Sequence, residues 1–234
     1  MKPYFQISIQ ESQEELIPIP LQGFAVESPH PYEKLGAPYG KKSPYFLRAS
    51  VVSALKEAQN ELLRNYPEWN ICIFDAYRPV EVQEFMVNYT FQEVAKSQNL
   101  DLNSLLPEVE SEIWKQVYQI WAIPEYNPLT PPPHSTGAAI DITIVNDQGE
   151  KIDMGGEIDE LSARSRPSYY SQSSNSMEQQ YHKHRELLHS VMLKAGFRRH
   201  PGEWWHFSLG DQMWAWQCQQ ENPQRTYTAR YGRV

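Results

Sequence analysis

Five prolines fall between Ile123 and Pro133, at positions 124, 128, 131, 132 and 133, and the run ends on His134. Proline holds φ at about −65° and has no backbone donor, so this stretch can be neither helix nor inner strand. It is a stiff loop that brings His134 to one place with little freedom left to lose. The pattern then changes at once. Ile140, Ile142 and Ile144 alternate with Asp141 and Thr143, the two-residue period of a β-strand. The isoleucines are expected to face a core, and Asp141 a cleft.

Other elements are legible around that strand. Between Ala49 and Tyr66, Val52, Leu55, Ala58 and Leu62 recur at helical spacing. Ile71 to Phe74 reads as a buried strand that places Asp75 and Arg78 at its C-terminal end. Pro79 suits the first turn of a helix running to about Ser97, and a third helix fits Glu108 to Ala122. Met177 to Ala195 is a helix with Leu187, Leu188, Val191 and Met192 on its apolar face, and Gly196 suits its C-cap. Trp204 to Leu209 reads as a strand. Residues 1–45 are expected to form an irregular N-terminal wrap, 160–177 an exposed Ser- and Arg-rich loop, and 225–234 a loose C-terminal tail. No repeat or linker divides the chain, so residues 1–234 are expected to form a single domain. The expected fold is α+β, a small, mostly antiparallel sheet flanked by helices with the functional site in a cleft at the sheet.

Composition narrows the function classes. The formal net charge of −8 over 234 residues argues against nucleic-acid or anionic-membrane partners. No apolar run is long enough to span a bilayer. The segment from Met1 has no apolar core of the signal-peptide kind, so a cytoplasmic location is expected. Cys72 and Cys218 are a weak disulfide signal, and Cys72, within Ile71-Cys72-Ile73-Phe74, reads as a buried thiol.

The chemistry concentrates in a few residues. His134, Asp141 and His206 offer two imidazoles and one carboxylate, a donor set that leaves a fourth position of tetrahedral Zn²⁺ open to water. Glu203, three residues before His206, is a candidate general base. Arg78 is the cation that an anionic transition state requires. Spacing imposes conditions. His134 and Asp141 lie an odd number of residues apart and would face oppositely on a straight strand, so a turn at Gly137 must fold His134 back. The same parity separates Glu203 from His206, and Pro201-Gly202 suggests a bend there. No His-Glu-x-x-His is present, which excludes the helical zincin arrangement. Taken singly, each residue has a plainer reading. The histidines could be hydrogen-bonded structural residues, Asp141 a strand-end cap, and Arg78 the ion-pair partner of Asp75. Asp75 itself reads as a carboxylate that orients a metal-bound imidazole. His30, His182, His184, His189 and His200 are given no ligand role.

His134-Ser135-Thr136-Gly137-Ala138-Ala139-Ile140-Asp141 and Glu203-Trp204-Trp205-His206, with Asp75-Ala76-Tyr77-Arg78-Pro79 upstream, resemble the D-alanyl-D-alanine dipeptidase family of zinc D,D-peptidases. Asp153-Met154-Gly155 with Ile158-Asp159-Glu160 and the run from Leu187 through Phe207 extend the similarity over about residues 45 to 217. The resemblance implies one Zn²⁺ per chain on His134, Asp141 and His206, with Glu203 as base and Arg78 on the oxyanion. It also implies that Asp159 receives the free amino group of a small dipeptide. One position departs from the family pattern: Pro132 stands where a serine is usual, and Ser135, or alternatively Thr136, is expected to contact the substrate in its place. Two other functions fit the same residues, a D,D-carboxypeptidase acting on peptidoglycan stem peptides and a zinc-binding module without catalysis.

Overall fold

In the computed structural model, which describes residues 2–234, the chain runs β1 (Leu16–Pro18), β2 (Ala25–Val26), the one-turn helix α1 (Pro31–Lys34), β3 (Phe46–Arg48), α2 (Ala49–Asn65), β4 (Asn70–Asp75), α3 (Val80–Ser97), α4 (Pro107–Val117), β5 (Ala139–Val145), α5 (Ser176–Lys194), β6 (Arg198–Arg199), β7 (His206–Ser208) and α6 (Gln212–Glu221). Five strands form one sheet in the order β2-β4-β5-β7-β6. Every neighbouring pair is antiparallel except β2 with β4. β1 and β3 form a separate antiparallel pair. This is the expected α+β architecture.

Alternation in β5 decides which side is which. Ile140, Ile142 and Ile144 are fully buried against Val51, Leu55 and Leu62 of α2 and Leu188, Val191 and Met192 of α5. Burying each such side chain contributes about 1.5–3 kcal/mol. Asp141 therefore points to the opposite face. A second core lies beyond β4, where Val82, Met86 and Val87 of α3 meet Ile113 and Val117 of α4, with Tyr32 and Trp121 between.

Two details of register aim the polar residues. Asp141 pairs directly with His206 across β5 and β7, so both side chains share a face. Between β4 and β5 the register slips, with Ile73 opposite Ile142 but Asp75 opposite Asp141. This bulge at Phe74 turns the end of β4 so that Asp75 meets Asp141, where a regular ladder would have matched Asp75 with Ile140.

Several expectations need correction. α4 stops at Val117, short of Ala122, and the chain leaves it in a turn that buries Trp121. The closing strand is only His206–Ser208. The first 45 residues do more than wrap the surface, because β2 extends the main sheet and His30, Tyr32 and Tyr39 are buried. The tail is not loose. Ala229 and Tyr231 are fully buried, Ala229 bridges to Ile9, and the Tyr231 hydroxyl meets Ser50 Oγ at 2.7 Å and also donates to Glu14. The 160–177 segment is pinned in part: Trp204 N donates to Ser165 O, and Arg185 Nη1 donates to Arg166 O. Both cysteines are buried free thiols, and burial pushes Cys72 up to about 11. Among the described residues no helix is long and apolar enough to cross a membrane.

Candidate active site

The proline-stiffened loop ends in a 3-10 turn, Pro133–Thr136, closed by Gly137 at φ +69°, a left-handed conformation that favours glycine. That turn folds His134 back over the sheet, as the odd spacing to Asp141 required. His134 Nδ1 donates to Ala76 O at 2.7 Å, which leaves Nε2 as the acceptor nitrogen facing inward. Nε2 then lies 3.1 Å from His206 Nδ1 and 3.2 Å from Asp141 Oδ2. His206 Nδ1 is 3.0 Å from Asp141 Oδ1. On the far side of that ring, Nε2 approaches Ser208 Oγ at 3.4 Å, and the Ser208 hydroxyl donates to Asp211 Oδ2 at 2.9 Å. Ser208 can therefore accept from Nε2, so His206 also turns its unprotonated nitrogen inward.

Three ligand atoms, one from each residue, lie within 4.8 Å of one another, and all three side chains are buried. Donor atoms in a tetrahedral zinc site with bonds of about 2.0–2.1 Å stand about 3.3 Å apart, so the observed spacing fits such an ion. The chemistry fits too: two neutral imidazoles with inward lone pairs and one ionised carboxylate. Burial opposes that ionisation, but while the inward imidazole nitrogens carry protons, the His134 charge and hydrogen bonds from His134 and His206 hold Asp141 well below the usual carboxylate range; a metal ion would replace those protons.

Glu203 sits in the bend before β7, beside His206. Its Oε2 is 3.7 Å from His206 Nδ1 and its Oε1 3.3 Å from His200 Nδ1. Burial, then the charges of Asp141 and Asp159, raise its pKa well above the ordinary value. Arg78 lies on the other flank of the triad. Nε donates to Asp75 Oδ2 at 2.9 Å, Nη1 to Gln83 Oε1 at 2.8 Å, and Nη2 to the Tyr32 hydroxyl at 3.1 Å and Asp141 Oδ2 at 3.2 Å. The guanidinium is stacked between Tyr32 and Trp121, 5.0 and 4.9 Å from their centroids. Such a clamp holds one orientation.

Asp75 is fully buried and serves Arg78 first. It also accepts from Tyr39 OH at 3.1 Å and lies 3.1 Å from His30 Nε2. Its distance to His134 Nδ1 is 3.5 Å, so the Ala76 carbonyl, and not the Asp75 carboxylate, is the closer acceptor orienting that imidazole. Asp159 lines the same cleft at φ +63° and accepts from Tyr32 OH at 2.7 Å. Burial and then the Asp141 charge raise it to about 7. Ser135 does not reach the cleft. Its hydroxyl donates to Pro132 O at 2.8 Å and closes the 3-10 turn. None of residues 160–177 lines the cleft.

The cleft is open to solvent, and its space, open solvent included, is about 490 Å³. Its walls include residues that sequence reasoning missed: Gln83, Trp121, His200, and Lys2 and Tyr4 from the start of the chain. Tyr32, also missed, stands behind them and holds Arg78 and Asp159. His200 had one usable signal, since it stands three residues before Glu203 across Pro201-Gly202.

The family profile described as D-Ala-D-Ala dipeptidase, peptidase M15, matches residues 26–226. The chain belongs to this peptidase family. A Synechocystis sp. member named D-alanyl-D-alanine dipeptidase is 53% identical, the match covering 100% of this chain and 97% of the relative. A protein of the same name from Enterococcus faecium is 29% identical over 62% of this chain and 64% of its own. One from Escherichia coli is 38% identical over 32% of this chain and 37% of its own. As a member of the family the chain is a metallopeptidase, and the His134, Asp141 and His206 cluster is the group among the described residues that could hold the metal.

Proposed function

We propose that this protein hydrolyses D-alanyl-D-alanine, or a similarly small dipeptide, to free amino acids, with one Zn²⁺ held by His134, Asp141 and His206. The observation that carries the reading is the buried triad flanked on one side by Glu203 and on the other by the clamped Arg78. The names of the relatives support the substrate class.

Bound zinc would supply Lewis acidity, polarising the scissile carbonyl and acidifying water. The protein groups do the rest. Glu203, buried and raised in pKa, takes the proton from the attacking water and passes it to the departing amine. Arg78 sits beside Asp141 with its Nη2 edge turned to the triad, where it stabilises negative charge developing on the carbonyl oxygen. Tyr32 and Trp121 keep water from the guanidinium and so strengthen its field. Asp159, held by Tyr32, pairs with the substrate ammonium.

Purified zinc-loaded protein is offered free D-Ala-D-Ala and an N-acylated peptide ending in D-Ala-D-Ala. Cleavage of the free dipeptide alone supports the reading. Cleavage of the acylated peptide instead would make the enzyme a D,D-carboxypeptidase and remove Asp159 from the role of ammonium partner.

A further inference from the structure

Lys2 comes from the far end of the chain, yet it lines the same cleft. Its segment is fixed in place. Pro3–Gln6 forms a 3-10 turn with Tyr4 buried. The buried Gln212 at the start of α6 donates through Nε2 to Ile7 O at 2.7 Å, and Ala229 N donates to Ser8 O at 3.0 Å.

Strand order sets out what the cleft offers along its length. β4 brings Arg78 and Asp75, β5 brings Asp141, β7 brings His206, and β6 runs into His200 at the other edge. Asp159 belongs to the first flank through Tyr32. Lys2 belongs to the other, where its charge acts on Glu203 and His200. A dipeptide is a zwitterion. With its ammonium at Asp159 and its peptide carbonyl at the triad, its carboxylate falls on the flank of Glu203 and His200. The four polar contacts of Arg78 commit it to the first flank. Among the described cleft-lining residues Lys2 is the remaining Lys or Arg, and Pro133 beside His134 offers no donor.

Resting on the dipeptidase reading, we infer that Lys2 receives the terminal carboxylate of the substrate and makes the enzyme selective for a free C-terminal acid. A compact ammonium on a flexible stem suits a carboxylate that different side chains would place slightly differently.

The test compares kcat and KM for D-Ala-D-Ala and its C-terminal amide, each also in N-acetylated form, in wild type, Lys2→Gln and Lys2→Arg. Losing one charge-assisted contact lowers the acid-to-amide ratio in kcat/KM about tenfold in Lys2→Gln, through KM, and Lys2→Arg restores most of it. An unchanged ratio, or equal loss on acid and amide, overturns the proposal and leaves the dipeptidase reading standing. Wild-type turnover of neither acid, free or acetylated, overturns both.

Discussion

Glu203 shares a buried cleft with two other carboxylates, Asp141 and Asp159, and their charges add to burial in raising its pKa. Glu203→Gln keeps the shape and a hydrogen-bonding head but can no longer accept a proton. We expect kcat to fall about 10²–10⁴-fold with zinc content unchanged, measured by steady-state kinetics alongside metal analysis. Retained turnover would mean that another base operates. Asp159 gives a pH signature. Its carboxyl is raised to about 7, so it is ionised above that pH and protonated below it. The groups that set this are Asp141 and Asp75, which raise it, and Arg78 and Tyr32, which lower it. KM for the free dipeptide should therefore rise as pH falls through about 7, and Asp159→Asn should give a high, flat KM. A wild-type KM that ignores pH would remove Asp159 from the ammonium site. At this scale the sequence was most legible where the chemistry needs particular residue types, at His134, Asp141, Glu203, His206 and Arg78. Tyr32, Trp121 and Lys2 were not legible, because nothing local marks an aromatic or a lysine that reaches a site built from distant segments.

The helix from Ala49 stood out by the period of its apolar face, the one from Val80 by Pro79 at its start, and the one from Ser176 by its apolar face and Gly196 at its end. The bulge at Phe74 did not, since its cause is the pairing of β4 with β5 and not the residues of β4 alone. The tail was misread for a related reason. Residues 225–234 are polar in sequence, but Tyr231 lies under two arginines, Arg48 and Arg230, each 5.2 Å from its ring centroid. Its hydroxyl ties Ser50 of α2 and Glu14 together. Tyr231→Ala would remove a fully buried aromatic ring and one hydrogen-bond partner of Ser50 and Glu14, which still bond each other. The expected cost is about 3–5 kcal/mol. At about 2–4 °C per kcal/mol for a chain of this size, Tm falls by about 10 °C in thermal unfolding. A shift of only a degree or two would restore the view of a loosely held tail.

Over the whole molecule, the three residues that could hold the metal come from segments that only the complete sheet brings together. His134 and His206 are 72 positions apart and meet because β5 and β7 are paired neighbours. An unfolded chain has no such site, so zinc held there would bind the folded form alone and its binding free energy would add to stability. It would also relieve electrostatic crowding, since Asp141, Asp159 and Glu203 share one buried cleft whose Lys and Arg side chains are Lys2 and Arg78. Zinc at about a thousand times its Kd stabilises by about 4 kcal/mol, which raises Tm by about 10 °C at this chain length. Titration of chelator-treated protein should saturate at one zinc per chain, with the Tm rise and the peptidase activity returning together. His206→Ala should bind weakly and lose the shift, because the two remaining donors cannot define a tetrahedral site. Saturation at two zinc ions, or activity regained without any gain in Tm, would place the metal somewhere other than between β5 and β7.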